Sequence, residues 1–126
     1  MSHRAIGALR LACALLFLSA ALLQYNDPDP LRWIAIYLLA MLACIAADRF
    51  RGSWMLALAV ATVAMGWSVR VVSEMPEWVP PGEMFEAMDR KGGAVEMARE
   101  AWGLAIMAVV LLWVSWSARP SRGIAS

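Results

Sequence analysis

Four oxygen-bearing side chains lie within one short segment of this chain, Gln24, Asn26, Asp27 and Asp29. Amide and carboxylate oxygens are the ligands that Ca²⁺ and Mg²⁺ prefer, but the segment has no glycine for the tight wrapping of a calcium loop. Each aspartate also precedes a proline, which is typical of a helix start, because the carboxylate caps free N–H groups and proline loses no needed donor there. Two interpretations stay open: a structural turn, or part of a polar site completed elsewhere.

A second charged segment contains Glu96, Arg99 and Glu100. Glu96 and Glu100 are four residues apart and share a helix face, and Arg99 is three residues from Glu96. Arg70 is the deepest charge on the same side, about 24 Å along its apolar segment at 1.5 Å per residue. A charge at that depth needs an acidic partner, for which Asp27, Glu96 and Glu100 are the candidates. A structural ion pair, a functional site and a snorkelling arginine are the alternatives.

The composition indicates that these residues belong to an integral membrane protein. The 126 residues are 62% hydrophobic and 17% charged, whereas soluble domains are about 45–50% apolar and about 25% charged. This excludes a disordered chain, a nucleic-acid-binding protein and an ordinary cytosolic enzyme. A net charge of +1 provides no field that attracts polyanions. The expected surroundings are therefore a lipid bilayer, without a nucleic-acid partner.

The apolar residues are concentrated in four segments, and a helix needs about 20 such residues to cross a bilayer. We expect an all-α membrane protein, one transmembrane domain over residues 1–126, built as an up-down bundle of four helices. The spans are predicted at about 5–24, 31–47, 54–72 and 94–117. In the loop 73–93, between the third and fourth spans, residues Glu83 to Arg90 predict a short amphipathic helix on the membrane surface.

The loop charges predict the orientation. One side carries six basic residues and one acid, which are Arg4, Arg10, Arg49, Arg51, Arg119, Arg122 and Asp48. The other side carries five basic residues and nine acids. Short arginine-rich loops stay in the cytoplasm, so both termini are expected inside and loop 73–93 outside. The expected location is a bacterial inner membrane, and a cleaved signal peptide over the first segment is disfavoured.

Other residue types give little support for catalysis, metal binding or transport. Cys13 and Cys44 lie inside apolar segments and His3 is the only histidine, so no zinc pattern and no nucleophile–base pair is visible. Met84 and Met88 suit Cu(I) but equally form an interfacial apolar face. The first span has no acid of the kind that small exporters use. No cofactor or metal is expected, and an enzyme is disfavoured.

Two motifs resemble the transmembrane protein 220 family. The run Leu23–Asp29, followed by Trp33 and Tyr37, is similar to the family's Gln-x-Asn-Asp-Pro-Asp motif, which ends the first span and precedes a Trp and a Tyr in the second. The run Glu96–Gly103 resembles its Glu-x-x-Arg-Glu-x-x-Gly motif at the start of a later span. The resemblance implies a small multi-pass membrane protein and brings no established activity, ligand or cofactor.

The two motifs and Arg70 define the predicted polar cluster, which comprises Gln24, Asn26, Asp27, Asp29, Arg70, Glu96, Arg99 and Glu100. We expect a structural or accessory membrane protein in which this cluster connects helices or docks a membrane-protein partner or a second copy. The alternative is a ligand- or metal-binding protein, or a membrane enzyme, with a site at the outer leaflet. A small transporter is less favoured. A tightly paired cluster without a cavity would favour the first, and an open pocket with unpaired carboxylates the second.

Overall fold

The computed structural model describes residues 2–26, 29–83 and 93–120, which contain four α-helices and no strand. The helices are α1 (His3–Leu23), α2 (Pro30–Ala46), α3 (Ser53–Glu74) and α4 (Ala94–Ala118). Short 3-10 turns lie at Gln24–Asn26 and Pro81–Glu83. The predicted all-α fold is confirmed, with one helix in each apolar segment. Of the predicted surface helix only Glu83 is described, where it ends the second 3-10 turn; the rest lies outside the described residues.

Three of the four helices are long and apolar enough to cross a membrane, namely α1 with the turn that follows it, α3 and α4. α2 is apolar but shorter, with 17 residues. At 1.5 Å per residue it is about 26 Å long, slightly less than the hydrocarbon thickness of about 30 Å. The structure is therefore that of a membrane protein with three candidate spans and one shorter apolar helix.

Local sequence explains where the helices begin and end. Ser2 precedes α1 and its hydroxyl accepts a hydrogen bond from the Ala5 N–H at 3.1 Å, which caps the helix start. α3 continues to Glu74, two residues beyond its predicted end, and Pro76 follows shortly after. Gly93 adopts the left-handed region (φ +84°) immediately before α4, a conformation that favours glycine.

The helices pack as two hairpins, α1 against α2 and, more extensively, α3 against α4. α3 contributes alanines with at most 1% exposure, Ala57, Ala61 and Ala64, which permit a close approach. α4 contributes larger buried side chains such as Leu104 and Leu111. Small residues on one helix thus accommodate large residues on its neighbour, and this core connects to α2.

α1 is the least buried of the long helices, and its outward face is rich in leucine. Leu15, Leu16 and Leu22 are 56%, 69% and 67% exposed. Soluble monomers rarely expose contiguous apolar surface of this kind, whereas lipid tails cover it without cost. The face of α1 therefore agrees with a helix surrounded by lipid.

We expect Ala61→Leu to destabilise the α3–α4 pair by about 1–3 kcal/mol, because a larger side chain at a fully packed position forces neighbours out of their rotamers. Ala59→Leu is the matched control, since Ala59 is exposed on the same helix. Unfolding by sodium dodecyl sulfate in mixed micelles, followed by circular dichroism, measures the difference. Equal stability of the two variants would contradict the packing described.

Candidate functional site

The described residues of the predicted polar cluster lie at one end of the bundle, which we call the Asp29 end. Gln24 lies in the 3-10 turn after α1, and its Nε2 donates to the Ala20 carbonyl oxygen at 3.2 Å. Asn26 is exposed at the end of the same turn. Asp27 lies outside the described residues. The side chain of Gln24 is thus used to close the end of α1.

Asp29 occupies the position before α2, but its side chain makes no capping hydrogen bond. Pro30 is the first helical residue, as predicted for an Asp-Pro start, whereas the predicted capping role of the Asp29 carboxylate is wrong. Asp29 instead forms an ion pair with Arg32 at 3.3 Å. Since both side chains are more than half exposed, this pair contributes little to stability.

Arg32 also lies above two tryptophan rings. Its guanidinium carbon is 5.9 Å from the Trp33 ring centroid and 5.4 Å from that of Trp67. The two rings are stacked at 4.5 Å between centroids. Because Trp33 belongs to α2 and Trp67 to α3, this stack connects the two hairpins at the Asp29 end, and the guanidinium adds a cation–π contact.

Arg70 has an acidic partner on its own helix and is not paired with Glu96 or Glu100, two of its three predicted partners. The third, Asp27, lies outside the described residues. The Arg70 Nε donates to the Glu74 Oε1 at 3.2 Å, and the two side chains are 78% and 58% exposed. The reason is the extra half-turn of α3, which places Glu74 four residues after Arg70 on the same face.

A cleft of about 740 Å³ lies between the start of α2, residues 62–74 of α3 and the start of α4. Its lining residues are Arg32, Thr62, Val63, Gly66, Trp67, Arg70, Val71, Glu74, Met97 and Glu100. The cleft brings Arg70 and Glu100 of the predicted cluster to one site. Glu96 and Arg99 are half-buried in the first turns of α4 and do not line it. The arrangement thus combines a paired arginine with an open cavity.

The two motifs of the sequence meet at a close contact between α2 and α4. The Tyr37 hydroxyl oxygen lies 3.5 Å from the position that a Cβ of Gly103 would occupy. The ring of Tyr37 also packs near Phe17 of α1, with centroids 6.5 Å apart. Glycine at position 103 therefore allows the tyrosine to approach α4 closely.

A smaller apolar cavity of about 160 Å³ lies beside the cleft, between α3, α4 and the connection that joins them. Val79 of this connection is fully buried against Ala94, Val95 and Ala98. The Ser68 hydroxyl donates to the Ala101 carbonyl oxygen at 2.7 Å in the same region. The connection is therefore packed onto the start of α4.

The opposite end of the bundle holds a buried arginine, which the sequence analysis counted only among the basic residues of the cytoplasmic side. Arg10 of α1 is 6% exposed. Its guanidinium donates to the Asp48 carboxylate and, at 2.8 and 3.2 Å, to the Ser117 hydroxyl. Ser117 in turn donates to the Val114 carbonyl oxygen. This network, which we call the Arg10 network, connects α1, the α2–α3 connection and α4.

The serines of α3 and α4 complete this end. The backbone N–H of Asp48 donates to the Ser53 hydroxyl at 3.1 Å, and the Ser115 hydroxyl donates to the Trp54 carbonyl oxygen at 2.9 Å. Asp48 adopts a left-handed backbone conformation (φ +67°), which aspartate tolerates better than most residues. The turn after α2 is thus shaped to present its carboxylate to Arg10.

The sequence of α1 carries no signal for the Arg10 network, because nearly every residue after Arg10 is apolar and no face is marked as the buried one. Arg10, Ala14, Phe17 and Ala21 are the buried residues of α1, and their spacing follows one helix face. In register with these residues, Arg10 points into the bundle. The partners Asp48 and Ser117 are 38 and 107 residues away along the chain, so spacing alone does not identify them.

Among the described residues, no group of three His, Cys, Asp or Glu side chains is arranged to hold a metal ion. Asp27 is not part of that search, because it lies outside the described residues.

The comparison with known protein families gives one match. The model of the family described as "Transmembrane family 220, helix" matches residues 16–116 of this chain. The chain belongs to transmembrane family 220. The resemblance inferred from the two motifs is therefore confirmed. No curated protein and no solved structure matches the chain.

The transmembrane family 220 match includes every residue that lines the cleft at the Asp29 end. Arg10 and Ser117 lie outside the matched residues, each within a few positions of its limits. The cleft is thus built from the part of the chain that the family model describes, whereas the Arg10 network combines two residues outside that part with Asp48, which lies within it.

We expect Asp48→Asn to lower the free energy of unfolding of this family 220 protein by about 1–3 kcal/mol, because it removes the charge that neutralises a buried guanidinium. Asparagine retains the left-handed backbone of position 48. The control is Glu74→Gln, which breaks an exposed pair and should cost less than about 1 kcal/mol. Detergent unfolding followed by circular dichroism measures both.

A double variant, Arg10→Met with Asp48→Asn, should lose less stability than the sum of the two single variants, because the second change removes the uncompensated charge left by the first. Strict additivity would show that the pair is not coupled in the membrane protein.

Proposed function

We propose that all four helices cross the membrane as an up-down bundle, with both termini in the cytoplasm of a bacterial inner membrane. The Arg10 end supports this orientation, because the start of α1 carries Arg4 and the turns carry Arg49, Arg51 and Arg119, beside the single acid Asp48. α2 is short for a span, but local thinning of the bilayer accommodates a mismatch of a few ångströms at modest cost.

We propose further that the protein is an accessory membrane protein that binds a small zwitterionic group in the cleft at the Asp29 end, without catalysing a reaction. The observation that carries this proposal is the cleft itself, of about 740 Å³, lined by two arginines and two glutamates. Ligand pockets typically measure about 300–1,000 Å³ and contain a few convergent polar groups.

The charges suit a ligand that carries both signs. Arg32 and Arg70 can donate paired hydrogen bonds to a phosphate or carboxylate, which is the geometry that guanidinium groups favour. Glu74 and Glu100 can accept from an ammonium group on the same ligand. The Arg70–Glu74 pair is largely exposed and so contributes little by itself. A ligand can therefore replace this pair with its own contacts to Arg70 and Glu74 at a small cost in free energy.

Binding rather than catalysis is supported by the chemistry of the lining. Within the described residues, the polar side chains of the cleft are two arginines, two glutamates and Thr62, and the Thr62 hydroxyl donates to the Leu58 carbonyl oxygen at 2.8 Å. Nucleophilic catalysis needs a nucleophile hydrogen-bonded to a base. The arrangement of Thr62 within its own helix does not provide one.

Docking of a membrane-protein partner or a second copy is the second candidate. The observation that favours it is the pair of exposed tryptophans near the small apolar cavity, Trp78 at 65% and Trp102 at 41% exposure. Tryptophan is enriched at the centres of protein interfaces, where arginine often accompanies it. In this case the cleft would receive charged side chains of the partner.

Binding of soluble probes tests the cleft. We expect the purified protein in detergent to bind glycerophosphoethanolamine more tightly than glycerol phosphate, which lacks the ammonium, or ethanolamine, which lacks the phosphate. Arg70→Gln and Glu100→Gln should each weaken binding about five- to tenfold, as expected for loss of one charge-assisted hydrogen bond at a partly exposed site. Isothermal titration calorimetry measures the affinities.

Glu77→Gln is the matched control, because Glu77 is an exposed acid near the same end that does not line the cleft. The proposal would be contradicted if Glu77→Gln weakened probe binding as much as Arg70→Gln and Glu100→Gln do. It would also be contradicted if the protein showed no preference for the zwitterionic probe. Native mass spectrometry of the same samples shows whether the protein forms dimers that Trp102→Ala disrupts, which is the expectation of the docking candidate.

A further inference from the structure

A groove of about 370 Å³ lies between α1 and the end of α2, at the Arg10 end and therefore far from the cleft. Its lining residues are Gly7, Arg10, Leu11, Cys44, Ile45, Ala47 and Arg49. The two arginines give the groove a cationic part, and the remaining residues are apolar or small. Neither the zwitterionic ligand nor partner docking involves this groove.

The two arginines contribute differently to the groove. Arg10 is buried, and Asp48 neutralises its charge, so it forms a fixed wall. Arg49 is exposed, and its Nε donates to the Ile45 carbonyl oxygen at 3.0 Å. Because a guanidinium has five N–H donors, Arg49 retains four for a further acceptor. The net positive charge of the groove therefore comes from Arg49.

The α1 side of the groove extends this cationic character. In α1, Arg10 and Leu11 follow Gly7 by three and four residues, so all three share one face of the helix. Arg4 is one turn earlier on the same face, three residues before Gly7. Among the described atoms, none lies within 4 Å of the position that a Cβ of Gly7 would occupy. The missing side chain thus leaves space between the cations.

The apolar part of the groove consists mainly of Leu11, which follows Arg10 in α1, and Ile45 in the last turn of α2. Leu11 is 58% exposed and Ile45 is 41% exposed, although both are large apolar residues in membrane-embedded helices. Such residues contact lipid chains, whereas the guanidinium groups lie at the level of the turns. A ligand that fits both parts has an anionic head and an apolar tail.

We propose that this groove binds one anionic phospholipid, with its phosphate on Arg49 and its acyl chain against Leu11 and Ile45. Basic pockets between transmembrane helices recognise anionic headgroups in this way. Charge complementarity supports an anionic headgroup as the occupant. The described turns at this end carry several arginines, and their only acid, Asp48, is already paired with Arg10. A free phosphate would use the arginines but not the apolar wall.

Native mass spectrometry of the full chain in mild detergent tests the proposal. The probes are phosphatidylglycerol and phosphatidylcholine with identical acyl chains, and inorganic phosphate as a competitor. We expect retention of one phosphatidylglycerol per protein, with an apparent affinity several-fold above that for phosphatidylcholine. Arg49→Gln should reduce the phosphatidylglycerol affinity about tenfold, which corresponds to the loss of one charge-assisted contact.

A steric variant tests the same groove without changing its charge. Gly7→Leu should fill the space beside Arg10 and displace the lipid, whereas Ala8→Leu, on an exposed neighbouring position of α1, should leave binding unchanged. Arg51→Gln is the charge control, because Arg51 lies two residues from Arg49 and does not line the groove. The helical content of every variant is checked by circular dichroism.

The outcomes separate a lipid site from its alternatives. The proposal is supported if Arg49→Gln and Gly7→Leu weaken phosphatidylglycerol binding while the two control variants bind it as the unmodified protein does. An equal loss in Arg51→Gln would indicate diffuse attraction by the basic turns and would overturn it. Displacement of the lipid by millimolar phosphate, or equal retention of phosphatidylcholine, would also overturn it. Because the groove and the cleft share no residue, failure here leaves the zwitterionic ligand untouched.

Discussion

A buried guanidinium carries a full charge and five N–H donors, and both must be satisfied wherever water is excluded. Arg10 meets this requirement through Asp48 and Ser117, which come from the α2–α3 connection and from α4. α1 and α4 have few other contacts. The Arg10 network is therefore the main connection between the first and last helices, and it determines how the two hairpins lie at this end of the bundle.

The Asp29 end is held together by a different interaction. There the stacked rings of Trp33 and Trp67 connect α2 with α3, and two ion pairs, Asp29–Arg32 and Arg70–Glu74, are exposed to the surroundings. Exposed pairs contribute little to stability, so they can change partners without unfolding the bundle. This contrast explains why we assign a structural role to the Arg10–Asp48 pair and a binding role to the arginines and glutamates of the cleft.

The sequence predicted much of the fold, because long apolar segments and the Asp29-Pro30 start are local signals. It predicted partners less well. Arg70 was expected to pair with an acid of another segment. Because α3 continues two residues beyond its predicted end, Glu74 instead lies one turn after Arg70 on the same helix face. The cleft could not be predicted, since it depends on how three helices diverge rather than on any one segment.

The position of Arg10 could not be predicted, because α1 is apolar on nearly every face and its sequence does not mark the side that is buried. In the structure Arg10 lies on the buried face of α1 with Ala14 and Phe17. Once Asp48 neutralises Arg10, a positive charge remains only on Arg49 within the adjoining groove. The Arg10–Asp48 pair, which connects the two hairpins, thus also determines which residue makes the groove cationic. Both the connection between the helices and the proposed lipid contact therefore depend on Asp48.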